Sequence, residues 1–313
     1  MHHSRMFCIA ICVVLTLTGT LGCQPSSQQA NNSDASDVVN DTSVQNDKAD
    51  VQNQQSPTPS TTSTAQANVH ILPVEFKVPG LDRTRKVRLY LPPDYDNDTD
   101  YYPVLYMHDG QNLFDDATSF VGEWRVDEAL NQLAKQHNFK LIVVGIDNGG
   151  DKRIVELGPY DHAEYGRSES KAYLNLIIDV IKPYIDTHYR TKADVTNTGI
   201  MGSSMGGLFS HFAIYTRPDV FSKAGIYSPS FWYSEQVFAL TQENPLPKSA
   251  KLDFLVGTKE GDGMVADTNK MVRLIQSQQH PAKHLRSEVV VDAEHNESFW
   301  ASRFAQSVLW LFQ

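Results

Sequence analysis

The sequence predicts an α/β protein: a mostly parallel central sheet with helices on both faces, entered through an antiparallel pair of strands. Three observations carry that expectation. From residue 68 onward, short runs rich in β-branched and aromatic residues alternate with longer amphipathic stretches, the pattern of strand–helix–strand units. The run Leu141-Ile142-Val143-Val144-Gly145-Ile146 is apolar almost without a break, as a strand covered on both faces must be. Finally, 41% of the 313 residues are apolar, enough for a sizeable core.

The elements follow in chain order. Residues 1–22 are expected to be a leader: Arg5 is followed by an uncharged apolar run, Met6 to Leu17, too short to span a bilayer comfortably and suited to a secretory signal. It leads into Gly19-Thr20-Leu21-Gly22-Cys23. That segment resembles the lipobox of bacterial lipoproteins, with Thr20 where the family usually has Leu. The resemblance implies lipidation of Cys23, and Gln24 after it implies delivery to the outer membrane if the host has two membranes. The other cysteines, Cys8 and Cys12, lie in the leader, so the mature chain can form no internal disulfide and the lone thiol needs another use.

Residues 23–67 are rich in Ser, Thr, Gln, Asn and Asp and lack aromatics. Such a segment cannot bury enough apolar surface to offset its ordering entropy and is expected to be a disordered tether, with a mean reach of roughly 35–40 Å. Residues 68–313 are expected to be the catalytic domain. Residues 69–78 and 85–91 read as the antiparallel strand pair around the turn Pro79-Gly80-Leu81-Asp82. Residues 102–107, 141–146, 198–201, 224–227, 252–256 and 288–291 read as strands. Helical spacing covers 126–136, 171–185, 206–216, 268–278 and 297–312; Leu174, Ile177, Ile178 and Ile181 share one face of the second.

The net charge is −10, a poor match for nucleic acid or for an anionic membrane surface. Neither partner is expected, and membrane contact should come through the lipid anchor alone.

The motif that carries chemistry is Gly202-Ser203-Ser204-Met205-Gly206. It fits G-x-S-x-G with Ser204 at the centre, between a strand end and a helix start. The glycines are a steric requirement of the tight turn that exposes a nucleophilic serine, and the helix N-terminus favours developing negative charge. It matches the nucleophile elbow of α/β-hydrolases, in which the acid and the histidine follow the serine in the chain. His295, in the polar loop before the last helix, is therefore the candidate general base, because a serine hydroxyl is a weak nucleophile without one. The acid should follow the strand ending at Val256: Glu260 is the first choice and Asp262 the alternative. Two backbone N–H groups must face the oxyanion; those of Met205 and Gln111 are expected, with Gly110 letting the loop approach the substrate. His108 and Asp109 lack the second clustered pair a metal would need, so no metal or cofactor is expected.

Taken together, His108-Asp109-Gly110-Gln111-Asn112-Leu113-Phe114, Trp124, the elbow, Ser228-Pro229-Ser230-Phe231-Trp232 and Glu294-His295 resemble the putative esterase family. That family includes esterase D-like, enterochelin (siderophore) esterase-like and feruloyl or acetyl-xylan esterase-like enzymes. The similarity runs from about Val74 to the C-terminus and implies an α/β-hydrolase fold and carboxylic ester hydrolysis on a small-molecule or polysaccharide-linked ester. One branch of the family works with a Ser–His dyad. Trp124, Phe231 and Trp232 are expected to wall the substrate pocket. Two other readings use the same residues: an acyltransferase in which an alcohol captures the acyl-enzyme, and a non-catalytic surface binding protein on a hydrolase scaffold.

Overall fold

The computed structural model describes residues 62–313. The expected leader, Cys23 and the expected tether up to residue 61 lie outside the described residues. The centre is an eight-stranded sheet in the order β1-β4-β6-β5-β7-β8-β9-β10. Its strands are β1 (Val69–Ile71), β4 (Val87–Tyr90), β5 (Val104–His108), β6 (Ile142–Ile146), β7 (Thr198–Ser203), β8 (Lys223–Tyr227), β9 (Lys251–Gly257) and β10 (Leu285–Val290). From β6 to β10 every neighbouring pair is parallel, whereas β1 pairs antiparallel with β4 and β4 antiparallel with β6. A separate antiparallel pair joins β2 (Phe76–Lys77) to β3 (Thr84–Arg85). The expected leading strand pair is thus present but split. Pro73, which has no N–H for a ladder, stands where β1 ends, and the chain leaves the main sheet there.

The continuous apolar runs have a simple cause. Alternate residues of each strand enter different cores: Val104, Tyr106 and Val144 pack with Leu174, Phe209 and Met271 on one face, while Leu105, Met107 and Val143 pack with Leu130, Trp300 and Phe304 on the other. The second face is covered by α1 (Val126–His137) and α8 (Glu297–Phe312). On the first face lie α3 (Ser170–Asn175), a π-helical turn at Leu176–Ile181, α4 (Lys182–His188), α5 (Met205–Thr216), α6 (Gln236–Glu243) and α7 (Asp262–Ser277). Three of these form one continuous helix over the expected 171–185 stretch, with Leu174, Ile177, Ile178 and Ile181 all buried. α8 starts where the Asn296 side chain caps the Phe299 N–H at 3.0 Å.

Several elements differ from expectation. α7 begins at Asp262 rather than near residue 268, because Gly261 (φ 92°) turns the chain and Gly263 hides the helical signal. The short helices α2 (Arg153–Leu157) and α6 have too few turns for a clear period. The expected tether also gives way to ordered chain before residue 68: Ser63, Thr64 and Gln66 hydrogen-bond to Asp115, Glu123 and Asp127. Composition could not reveal this, since the order comes from polar contacts with distant carboxylates and not from apolar burial.

Candidate active site

β7 ends at Ser203 and α5 begins at Met205, so Ser204 occupies the single residue between them. Its backbone is held at φ 58° and ψ −125°, a region that a residue with a side chain adopts only at a cost of about 1–3 kcal/mol. Close packing enforces the turn. A Cβ on Gly202 would lie 2.8 Å from His108 Cδ2 and 2.9 Å from Gly206 C, and one on Gly207 would lie 2.5 Å from the Tyr227 carbonyl oxygen. The Ser204 N–H donates to Tyr227 O at 2.9 Å, fixing the turn to β8. The hydroxyl has one contact among the described residues, Ser230 Oγ at 3.4 Å.

His295 comes from the loop between β10 and α8. Its Nδ1 lies 2.8 Å from Glu260 Oε2, and its ring stands edge-on to Trp300 with centroids 5.0 Å apart. The Glu260 side chain is fully buried, and its other oxygen accepts from Gly257 N and Ser228 Oγ, both at 2.7 Å. Ser228 Oγ in turn accepts from Trp300 Nε1 at 2.8 Å. An ionised carboxylate can only accept, so Nδ1 is the donor of that contact, and in the neutral imidazole the lone pair is on Nε2. Of the two acid candidates, Glu260 is the one in contact with His295; the side chain of Asp262, the first residue of α7, lies outside the described residues.

The remaining expected residues are Met205 and Gln111. Met205 is the first residue of α5, and Gln111 lies in a 3-10 turn, Gly110–Asn112, after β5. Neither N–H has an acceptor among the described residues. Gly110 is needed because a Cβ there would meet Gly145 C at 2.7 Å. Ser204, His295 and Gln111 all line one cavity of about 770 Å³.

Trp124 also lines that cavity, stacked on Tyr227 at 5.5 Å and leaning on Trp300 at 5.7 Å. The other two expected wall residues do not. Phe231 is buried in the core against Phe238 and Phe254, because the short turn after β8 folds it inward beneath α6. Trp232, its neighbour, points the opposite way and is 52% exposed. Phe120, exposed at the rim, and Trp300 supply the aromatic surface instead.

Several residues of the cavity carry no motif and escaped the sequence reading. Arg153 grips Asp109 with two hydrogen bonds of 2.6 and 2.8 Å, and Asn148 adds a third at 2.6 Å. Burial pushes the Asp109 carboxyl up, but the Arg153 charge and these hydrogen bonds outweigh it and hold the group below its usual range. Burial drives His108 down to about 3, so it stays neutral, with Nδ1 against the Tyr173 hydroxyl at 3.1 Å. Glu297, at the start of α8, receives Asn112 Nδ2 at 3.4 Å. Burial, reinforced by the Asp109 charge, lifts its carboxyl to about 7. Among the described residues, the group spaced for a metal ion is Glu123, Asp127 and Glu128, whose oxygens lie within 4.8 Å of one another; neither His108 nor Asp109 belongs to it.

Residues 79–311 match the family model described as Putative esterase. The chain is 25% identical over 242 residues to the uncharacterized protein YbbA of Bacillus subtilis (strain 168), covering 73% of this chain and 92% of that one. It is 25% identical over 226 residues to an endo-1,4-beta-xylanase/feruloyl esterase of Xylanibacter ruminicola, covering 70% of this chain but 28% of that protein. Among solved structures, the enterobactin esterase FES from Shigella flexneri superposes with a TM-score of 0.64 at 15% identity, over 80% of this chain and 60% of that one. At that identity the likeness is one of fold.

Proposed function

The chain belongs to the Putative esterase family and is a carboxylic ester hydrolase, and from that premise we propose that it works through an acyl-enzyme on Ser204. The observation that carries the reading is the 2.8 Å contact of His295 Nδ1 with Glu260, at the edge of the cavity that Ser204 lines. In the first step His295 Nε2 takes the hydroxyl proton as Ser204 Oγ attacks the ester carbonyl. The Met205 and Gln111 N–H groups hold the oxyanion. The alcohol leaves with the proton from His295, and water activated by the same nitrogen then releases the acid and restores the serine. No hydrogen bond joins Ser204 to His295 among the described residues, so the mechanism requires the hydroxyl to turn from Ser230 toward Nε2 when an ester enters; such contacts often tighten only in the complex. Ser204→Ala should lower p-nitrophenyl acetate turnover by about 10⁴–10⁶-fold and abolish labelling by a fluorophosphonate probe. Turnover close to wild type would reject the nucleophile.

The wall formed by Trp124, Trp300 and Phe120 favours an ester bearing a planar apolar group, in keeping with relatives named for feruloyl and enterobactin esters. A kcat/KM for feruloyl esters no higher than for acetyl esters would count against this. Export and lipid anchoring through Cys23 belong to the same proposal, supported by the apolar leader and the small residues before the cysteine. Cys23→Ser should move the protein out of the membrane fraction.

A further inference from the structure

The chain ahead of β1 crosses the outside of the cavity wall. Ser63 Oγ and the Thr64 N–H donate to the two oxygens of Asp115 at 2.8 and 3.1 Å. Thr64 Oγ1 donates to Glu123 Oε1 at 2.9 Å and accepts the Asp116 N–H at 2.9 Å. The Gln66 N–H donates to Asp127 Oδ2 at 2.8 Å. Asp115 and Glu123 lie in the loop between β5 and α1, residues 113–125, which supplies Thr118, Phe120, Val121 and Trp124 to the cavity.

We propose that Ser63 and Thr64 form a strap of positioning residues that holds the substrate-facing loop 113–125 in place, with Gln66 tying the strap to α1 through Asp127. Glu123 is 6% exposed and Asp127 fully buried. Among the described residues neither has a cationic partner, and each keeps one buried oxygen without a hydrogen bond. Buried carboxylates so poorly served are costly. Without the Thr64 hydroxyl, Glu123 gains by moving outward to water, and Trp124 is its immediate neighbour in the chain. Trp124 leans on Trp300, and Trp300 packs edge-on against His295. The strap therefore acts on the site through the wall and touches no substrate. Its role in turnover rests on the assignment of this cavity as the ester site; its hold on the loop does not.

The test uses the full chain with Ser63→Ala/Thr64→Val, which removes both hydroxyls at nearly constant volume, and with Thr64→Ser, which keeps the hydroxyl. Amide hydrogen exchange of residues 113–125 is followed by mass spectrometry, with α5 as the internal control, beside KM and kcat for an aryl ester. If the ordered loop falls to about a tenth of molecules, KM rises about tenfold, since apparent affinity scales with the competent fraction. The expected result is faster exchange in 113–125 alone, a raised KM with kcat within about twofold, the scale of that population argument, and wild-type behaviour in Thr64→Ser. Unchanged exchange in the double variant overturns the strap. Faster exchange with unchanged KM overturns its role in substrate positioning. A wild-type enzyme with no esterase activity would sink the site assignment and leave the exchange result to decide the strap by itself.

Discussion

Glu260→Gln isolates the role of the buried acid. The amide has the size of the carboxylate, so packing against Ser228 and Gly257 is kept. The Gly257 N–H and the Ser228 hydroxyl both point at Oε1 at 2.7 Å, and each needs an acceptor there; the amide oxygen will take that place. The NH₂ then faces His295 Nδ1 across the 2.8 Å gap now held by Oε2. Two N–H groups cannot share that contact, so the imidazole proton must move to Nε2. That nitrogen is then a donor and cannot accept the Ser204 proton. The carboxylate charge that would stabilise the imidazolium disappears as well. Loss of the base in its working tautomer is worth on the order of 10³–10⁴ in kcat, or about 4–5.5 kcal/mol of barrier. Initial rates with p-nitrophenyl acetate measure the loss, nitrogen NMR of His295 reads the tautomer, and a thermal melt checks that the fold survives. A folded variant within tenfold of wild type would refute the reasoning and leave Ser204 and His295 working as a dyad.

Other perturbations follow from the geometry. Glu297, shifted from 4.5 to about 7 chiefly by burial, binds a proton more tightly folded than unfolded, so it imposes no penalty below about pH 4.5 and its full penalty above about pH 7. Glu297→Gln should flatten the fall in stability across that window by up to about 3 kcal/mol in urea melts at pH 4.5 and 8; parallel curves would contradict the shift. Arg153→Met leaves the buried Asp109 carboxylate without its partner and should destabilise by about 2–3 kcal/mol, less than a fully buried pair because Arg153 is partly exposed. Adding Asp109→Asn should restore part of that loss, which a double-mutant cycle measures. Gly207→Ala should unfold or silence the enzyme, since its Cβ would sit 2.5 Å from a backbone oxygen, whereas Gly263→Ala meets nothing within 4 Å and should be neutral or stabilise α7 by up to about 1 kcal/mol. Melting temperatures of the two reverse this ordering only if the packing around the elbow is wrong.

What could be read from the sequence was what local chemistry enforces. The Ser204 elbow is written in its glycines because steric contact dictates them, and the strands are written in apolar runs because both faces are buried. His295 and Glu260 were expected from order along the chain and loop position, and the structure places them in contact. Phe231 and Trp232 were misread because adjacent residues of one short turn point to opposite sides, and nothing in Ser228-Pro229-Ser230-Phe231-Trp232 says which faces the cavity. Arg153, Asn148 and Glu297 left no trace, since each acquires meaning only beside Asp109 or Asn112, its partner 39 or more residues away in the chain. The strap at residues 63–66 was hidden for the same reason: its partners are carboxylates about 50 to 60 residues further on.

The topology explains why residues so far apart converge. β5, β6, β7, β8, β9 and β10 run parallel, so their C-terminal ends share one edge of the sheet. Gln111 follows β5, Asn148 follows β6, Ser204 follows β7, Ser228 and Ser230 follow β8, Glu260 follows β9 and His295 follows β10. Each lies within five residues of a strand end, where open α/β sheets gather their ligands. Registry between neighbouring strands thus sets the spacing of the site: a shift of β10 against β9 by one residue would move His295 by about 3.3 Å relative to Glu260 and break their contact. That ties the β9–β10 pairing, and with it Arg286 bridging to the buried Asp253, to the spacing of His295 and Glu260 even though neither residue lines the cavity. An Asp253→Asn/Arg286→Met enzyme that kept full activity while losing stability would separate the two roles.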